Sequence, residues 1–152
     1  MSASWQPPAG GSRPGRSGYE FTWVLIRIVP FLLLAFGHGL RKVPPTEGFV
    51  AGVAELGFPA PGVFAWLAGL SEFAGGLLIA AGLLTRPAAL LVAITMAVAA
   101  FGRHGADPFV SASGASKELA LLYLCFALFF LMAGAGPLSL DSAWRRLVRG
   151  AR

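Results

Sequence analysis

Residues 63–84 constrain this chain more than any other stretch. The run from Val63 to Leu84 is apolar and long enough to cross a bilayer as a helix, which takes about 20 residues. Yet Glu72 stands near its middle. A carboxylate at membrane depth costs roughly 2.5–3.5 kcal/mol on insertion scales, so Glu72 is expected to face a partner group or a wet cavity. Ala65, Gly69, Gly76 and Ala80 share its side of the helix at steps of three and four. Such a stripe lets helices pack closely in lipid. The acid is therefore expected to turn inward, with any function built around it.

Of the 152 residues, 56% are hydrophobic and only 12% charged. A soluble domain of this size carries about twice that charged fraction. Several near-continuous apolar runs make the chain an all-α, polytopic membrane protein, and one compact bundle uses its whole length. The formal net charge of +5 does not point to nucleic acid, because the arginines flank apolar runs as topology signals do. The lipid bilayer is the expected partner. The single cysteine, Cys125, lies in an apolar run. It excludes an intrachain disulfide, a CxxC pair and a cysteine-ligated cluster, and reads as a small hydrophobe.

In chain order, residues 1–18 are rich in Pro, Gly and Ser and are expected to form a disordered cytoplasmic tail. Residues 19–141 are expected to form a four-transmembrane-helix antiparallel bundle. The first apolar run, 21–40, is too long for a signal-peptide core and lacks an A-x-A exit, so a retained helix is expected. It carries Arg27 and His38. Arg27 either snorkels to the nearby interface or pairs inward with Glu72. At 1.5 Å per residue the two lie roughly 9 Å apart in depth, near the combined reach of their side chains. His38, between Gly37 and Gly39, reads as a loosened helix end or as a proton-exchanging group. The prolines at 44, 45, 59 and 61 break the chain into a loop. Phe49, Val50, Val53, Leu56 and Phe58 predict a short amphipathic piece on the membrane surface within it.

Thr85-Arg86-Pro87 makes a tight turn, so the second and third helices are antiparallel neighbours. Alanines 89, 93, 97 and 100 form a second small-residue stripe. The fourth helix is expected from about Lys117 to Ala135, stopped by Gly134-Ala135-Gly136-Pro137. Residues 142–152 place Trp144, Leu147 and Val148 opposite a set of arginines, the pattern of a basic interfacial helix capped by Ser139 or Asp141. Arg13, Arg16, Arg86, Arg145, Arg146, Arg149 and Arg152 fall at one membrane face; Arg41, Lys42, Arg103 and Lys117 fall at the other. Seven against four predicts both termini in the cytoplasm. It also predicts an outer-face polar cluster of His38, Lys42, His104, Lys117 and Glu118.

These residues resemble the DoxX family. The likeness is carried by Arg27, Gly37-His38-Gly39 with Lys42, Glu72-Phe73-Ala74-Gly75-Gly76-Leu77-Leu78, Gly82-Leu83-Leu84-Thr85-Arg86, His104 and Gly134-Ala135-Gly136-Pro137-Leu138-Ser139-Leu140-Asp141. It runs from about residue 21 to 141. The resemblance implies a small four-helix protein of the bacterial inner membrane. It also implies association with a quinone-linked oxidoreductase complex or an oxidative-stress response. At the start of the fourth helix Lys117-Glu118 stands where many members have Lys-Asn.

Three functions fit the residues. The first is a redox-linked subunit acting on or near quinone, with Glu72, His38 and His104 as candidate catalytic, proton-exchanging groups. The chain has no haem-attachment motif, dinucleotide fingerprint or metal-spaced set, so no intrinsic cofactor or metal is expected. Electrons then come from other membrane or oxidoreductase subunits. The second is a non-catalytic assembly or interaction subunit, with Arg27 and Glu72 as a buried polar pair and the small-residue stripes facing a partner. The third is a small-solute or proton pathway, for which four short helices require a homo-oligomer.

Overall fold

The computed structural model describes residues 16–112 and 114–150. All but the last three residues of the expected tail lie outside the described residues; those three begin the first helix. Among the described residues every regular element is helical. Helix α1 (Arg16–Leu32) continues through a π-helical segment, Leu33–Gly39, and a 3₁₀ turn, Leu40–Lys42. Helix α2 (Glu47–Glu55) follows, then α3 (Pro61–Leu70), a π-helical segment at Ser71–Gly75, and α4 (Gly76–Ala81). Helix α5 (Thr85–Ala97) runs into a third π-helical segment, Val98–Arg103. Helices α6 (Glu118–Ala133) and α7 (Leu140–Gly150) complete the chain.

Three continuous spans, Gly18–Lys42, Pro61–Ala81 and Thr85–Arg103, are long and apolar enough to cross a membrane; α6 is a shorter apolar helix. Together they form the four-helix membrane bundle expected from the sequence. Large apolar side chains point outward, among them Leu33, Phe36, Val63, Phe101 and Leu122. Apolar exposure on that scale marks a surface covered by lipid. Inside, Phe31, Leu34, Ile79, Val92, Met96 and Phe130 pack with buried alanines 88, 89, 93 and 127.

Lipid tails are as apolar as leucine, so helices associate here through close contact rather than water exclusion. The stripe beside Glu72 provides it: Ala65, Gly69, Gly76 and Ala80 are all buried. A Cβ built on Gly76 would stand 2.9 Å from the Phe31 carbonyl oxygen and 3.2 Å from the Ala35 Cβ, so spans one and two touch through backbone. The second stripe faces inward at Ala89, Ala93 and Ala100, while Ala97 is half-buried.

The end of the bundle where α1 begins is closed by a single arginine. Arg27 is 3% exposed. Its Nε donates to the Ala80 carbonyl at 3.2 Å, Nη2 to Leu138 at 2.8 Å, and Nη1 to Ala135. The last carbonyls of a helix have no partner within it. A planar fork of N–H donors can satisfy several at once. Arg27 does this for the end of α4 and for the segment after α6. That corrects the expected Arg27–Glu72 pair: acceptors nearer in depth take every donor group of the guanidinium. Asp141 secures the same end. Its carboxylate accepts from the Leu84 N–H at 2.9 Å and the Thr85 N–H at 3.1 Å, and its own N–H donates to the Gly82 carbonyl at 2.8 Å. Gly82 takes φ 68°, the left-handed region open to glycine. With Asp141 spent on α5, Ser139 caps α7, its Oγ accepting from the Ser142 N–H at 3.2 Å.

Gly76→Leu is expected to lower thermal stability in detergent by about 1–3 kcal/mol, the usual cost of overpacking. Gly37, which has nothing within 4 Å of a built Cβ, is the control. Gly37→Ala should unfold with the wild type. Equal melting of the Gly76 variant and wild type would place that face against lipid.

Candidate functional site

Glu72 is 1% exposed and lies in the π-helical segment of span two. Such segments are rare and recur at functional sites. Lys42, at the end of span one, reaches it with Nζ 2.6 Å from Oε1 and 2.8 Å from Oε2. Glycines make the contact possible. A Cβ on Gly69 would stand 2.7 Å from the Lys42 carbonyl oxygen, and one on Gly39 would strike the backbone of Glu72 and Phe73. Spans one and two therefore meet backbone to backbone at the level of the ion pair.

The pair forms part of the wall of a cavity of about 750 Å³ between α2, span two and span three. That volume suits a small molecule with an apolar body. Phe49, Leu56, Leu67, Leu78, Leu91 and Ile94 supply apolar wall; Lys42, Ser71, Glu72, Thr95, Arg103 and His104 supply polar groups. The Ser71 and Thr95 hydroxyls lie 3.0 Å apart and tie span two to span three beside Glu72. The cavity runs along the seam from Leu84 and Pro87 at one end to Arg103 and His104 at the other. Along a helix the sixteen steps from Pro87 to Arg103 cover about 24 Å.

Helix α2 covers this cavity. Thr46 caps it, accepting from the Phe49 N–H at 3.3 Å. The expected amphipathic piece forms α2 and turns Phe49, Val53 and Leu56 onto the cavity. The Phe49 ring also sits 5.3 Å from Lys42 Nζ, a cation–π contact that draws α2 to the ion pair.

The expected outer-face cluster separates into four groups. Lys42 turns inward to Glu72. His104 Nδ1 pairs with Asp107 Oδ2 at 2.7 Å, while Lys117 donates to the Gly105 carbonyl at 2.9 Å, so both fasten the loop before α6. His38 lies outside the cavity lining, its ring 6.0 Å from that of Tyr123. Glu118 is exposed at the start of α6. Of the three candidate catalytic residues, Glu72 and His104 line the cavity and His38 does not. Ser71, Thr95, Arg103 and α2 join the site in addition to the residues expected from the sequence. The signals available for them were a serine beside the buried acid, a threonine in an alanine-rich helix and the apolar face of 49–58. Among the described residues no three His, Cys, Asp or Glu side chains stand close enough to hold a metal ion.

The DoxX family profile matches residues 22–105, more than half of the chain. The chain belongs to the DoxX family. Lys42, Glu72, Arg103 and His104 lie inside the matched region, and the 134–141 segment lies beyond it. An inner membrane protein of Escherichia coli, YphA, is 31% identical over 122 residues, covering 78% of this chain and 87% of its own. A protein of Bacillus subtilis named "Putative oxidoreductase CatD" is 28% identical over 123 residues, covering 81% and 87%. An uncharacterised protein of Haemophilus influenzae is 41% identical over 80 residues, 50% of this chain but only 58% of that relative's length. No solved structure matches the chain.

The two pairings can be separated by double-mutant cycles. Glu72 is buried and Lys42 only partly, so removing Lys42 leaves an uncompensated buried charge, at a cost below the about 3–5 kcal/mol typical of a fully buried pair. Lys42→Met should therefore destabilise, and Lys42→Met with Glu72→Gln should recover part of the loss. Arg27→Gln with Glu72→Gln should instead be additive, because the two share no partner. Recovery in the Arg27 cycle, with additivity in the Lys42 cycle, would reverse the assignment.

Proposed function

We propose that this DoxX protein is a quinone-binding subunit of a membrane oxidoreductase system in the bacterial inner membrane. One observation carries the reading: a buried carboxylate bound by a half-buried lysine stands in the wall of a mostly apolar, ligand-sized cavity along a lipid-facing seam. A quinone has the matching shape, a ring with polar oxygens on a long apolar chain. The seam takes the chain and the pair meets the ring. Quinone reduction takes up two electrons and two protons. Lys42 Nζ donates a hydrogen bond to a carbonyl oxygen and Glu72 holds the compensating charge. His104, with Asp107, stands at the cavity end and passes protons inward from water. The electrons come from a partner dehydrogenase subunit. The name of the Bacillus subtilis relative supports an oxidoreductase setting and that of the Escherichia coli relative an inner-membrane one.

A second reading has its own observation. The carboxylate is already bound by Lys42 through both oxygens, as in a pair that only fastens two helices. The protein is then a non-catalytic assembly subunit, and a partner helix lies in the seam. Solvent extraction of protein purified in a mild detergent decides between them. The quinone reading expects quinone in the extract, depleted in Leu91→Trp, which fills the seam, and in Lys42→Met. No enrichment over bulk lipid, with a stable protein partner that Leu91→Trp releases, would replace it with the second reading.

The orientation is proposed from the basic residues at helix ends, with both termini cytoplasmic. A reporter fused after Arg152 should behave as cytoplasmic, and one inserted after Gly114 as external. The opposite pattern would put His104 at the cytoplasmic face.

A further inference from the structure

A second cavity, of about 650 Å³, opens at the other end of the bundle. It lies between the start of α5, the 134–137 segment after α6 and the first turns of α7. Arg86 and Arg145 line it, with Thr85 and Ser142. Its acid, Asp141, is already held by the Leu84 and Thr85 N–H groups. Arg86 gives one N–H to the Met132 carbonyl at 3.3 Å and keeps its other donors. Arg145 is exposed and makes no hydrogen bond or ion pair among the described residues. Thr85 is 1% exposed, and among the described residues its Oγ1 has no partner.

We propose that this cavity binds the phosphate headgroup of an anionic membrane phospholipid. Charge selects the phosphate: the lining has two arginines against one carboxylate, and both arginines keep N–H donors unused. Surroundings select a lipid over free phosphate. Leu84 on the rim is 59% exposed, and Met132 beside the cavity is 79% exposed. Trp144 and Leu147 on α7 are 68% and 72% exposed. Leu84 and Met132 give the acyl chains a place to lie, while Trp144 and Leu147 seat α7 in the membrane surface. An amphipathic helix with arginines opposite tryptophan and leucine rests at headgroup depth, which puts the cavity mouth there too.

The test uses the full chain in detergent loaded with phosphatidylglycerol or phosphatidylcholine and reads bound lipid by native mass spectrometry. Retained phosphatidylglycerol should exceed phosphatidylcholine. Arg86→Gln and Arg145→Gln should each weaken retention roughly fivefold. Arg149→Gln, on the same helix but outside the cavity, should leave it unchanged. Arg145→Gln removes no internal bond, so its effect is readable even if Arg86→Gln unfolds. Equal retention of the two lipids overturns the proposal. So does an equal loss in Arg149→Gln, which would mean general surface charge, or displacement by inorganic phosphate alone.

Discussion

Glu72 can lie inside this bundle because Lys42 reaches it, and Lys42 reaches it because two backbones touch. Gly39 and Gly69 remove the side chains that would hold spans one and two apart. The ion pair, the cavity wall and the placement of α2 follow from that contact. Phe49 sits against the Lys42 ammonium, so the helix that covers the cavity is fixed by the charge that lines it. Ser71 and Thr95 join span three at the same level. Any residue with a Cβ at position 39 would push Glu72 from its partner, and the remaining arrangement would lose its anchor.

The two ends of the bundle are held by different physics. At the Arg27 end the bonds run between side chains and backbone: Arg27 to Ala80, Ala135 and Leu138, Asp141 to Leu84 and Thr85. Helix ends expose groups that must be satisfied, and one arginine and one aspartate bind them across three segments. At the Glu72 end the bonds that join the spans, Lys42 to Glu72 and Ser71 to Thr95, run between side chains, and each of the three spans contains a π-helical segment. A π-helical turn shifts which side chains face inward, and here the altered winding brings polar groups onto an apolar seam.

Much of this was legible in the sequence. A carboxylate mid-span and a stripe of small residues at helical spacing were enough to turn Glu72, Gly69 and Gly76 inward. Proline and glycine signals located the elements to within a few residues. The partners were less legible. Depth counted at a fixed rise placed Arg27 and Glu72 within marginal reach, but it could not see that the chain after α6 returns its carbonyls to Arg27. It also left Lys42 at the outer face, since charge near a helix end is a topology signal and carries no direction. The apolar face of α2 was readable; that it would meet a cavity depended on span three, far away in sequence.

The lock between Gly82-Leu83-Leu84-Thr85 and Asp141 has a consequence for how the protein is made. The turn joining spans two and three is secured by a residue far downstream, and two of the acceptors that satisfy Arg27 lie at Ala135 and Leu138. Synthesis runs from the N-terminus, so the first three spans enter the bilayer before their latch exists. During that interval Arg27 lacks two of its three carbonyls and the N-terminus of α5 lacks its cap. The bundle closes only when the segment after α6 arrives. A chain truncated after α6 would keep all four apolar helices and still lack the groups that hold that end shut.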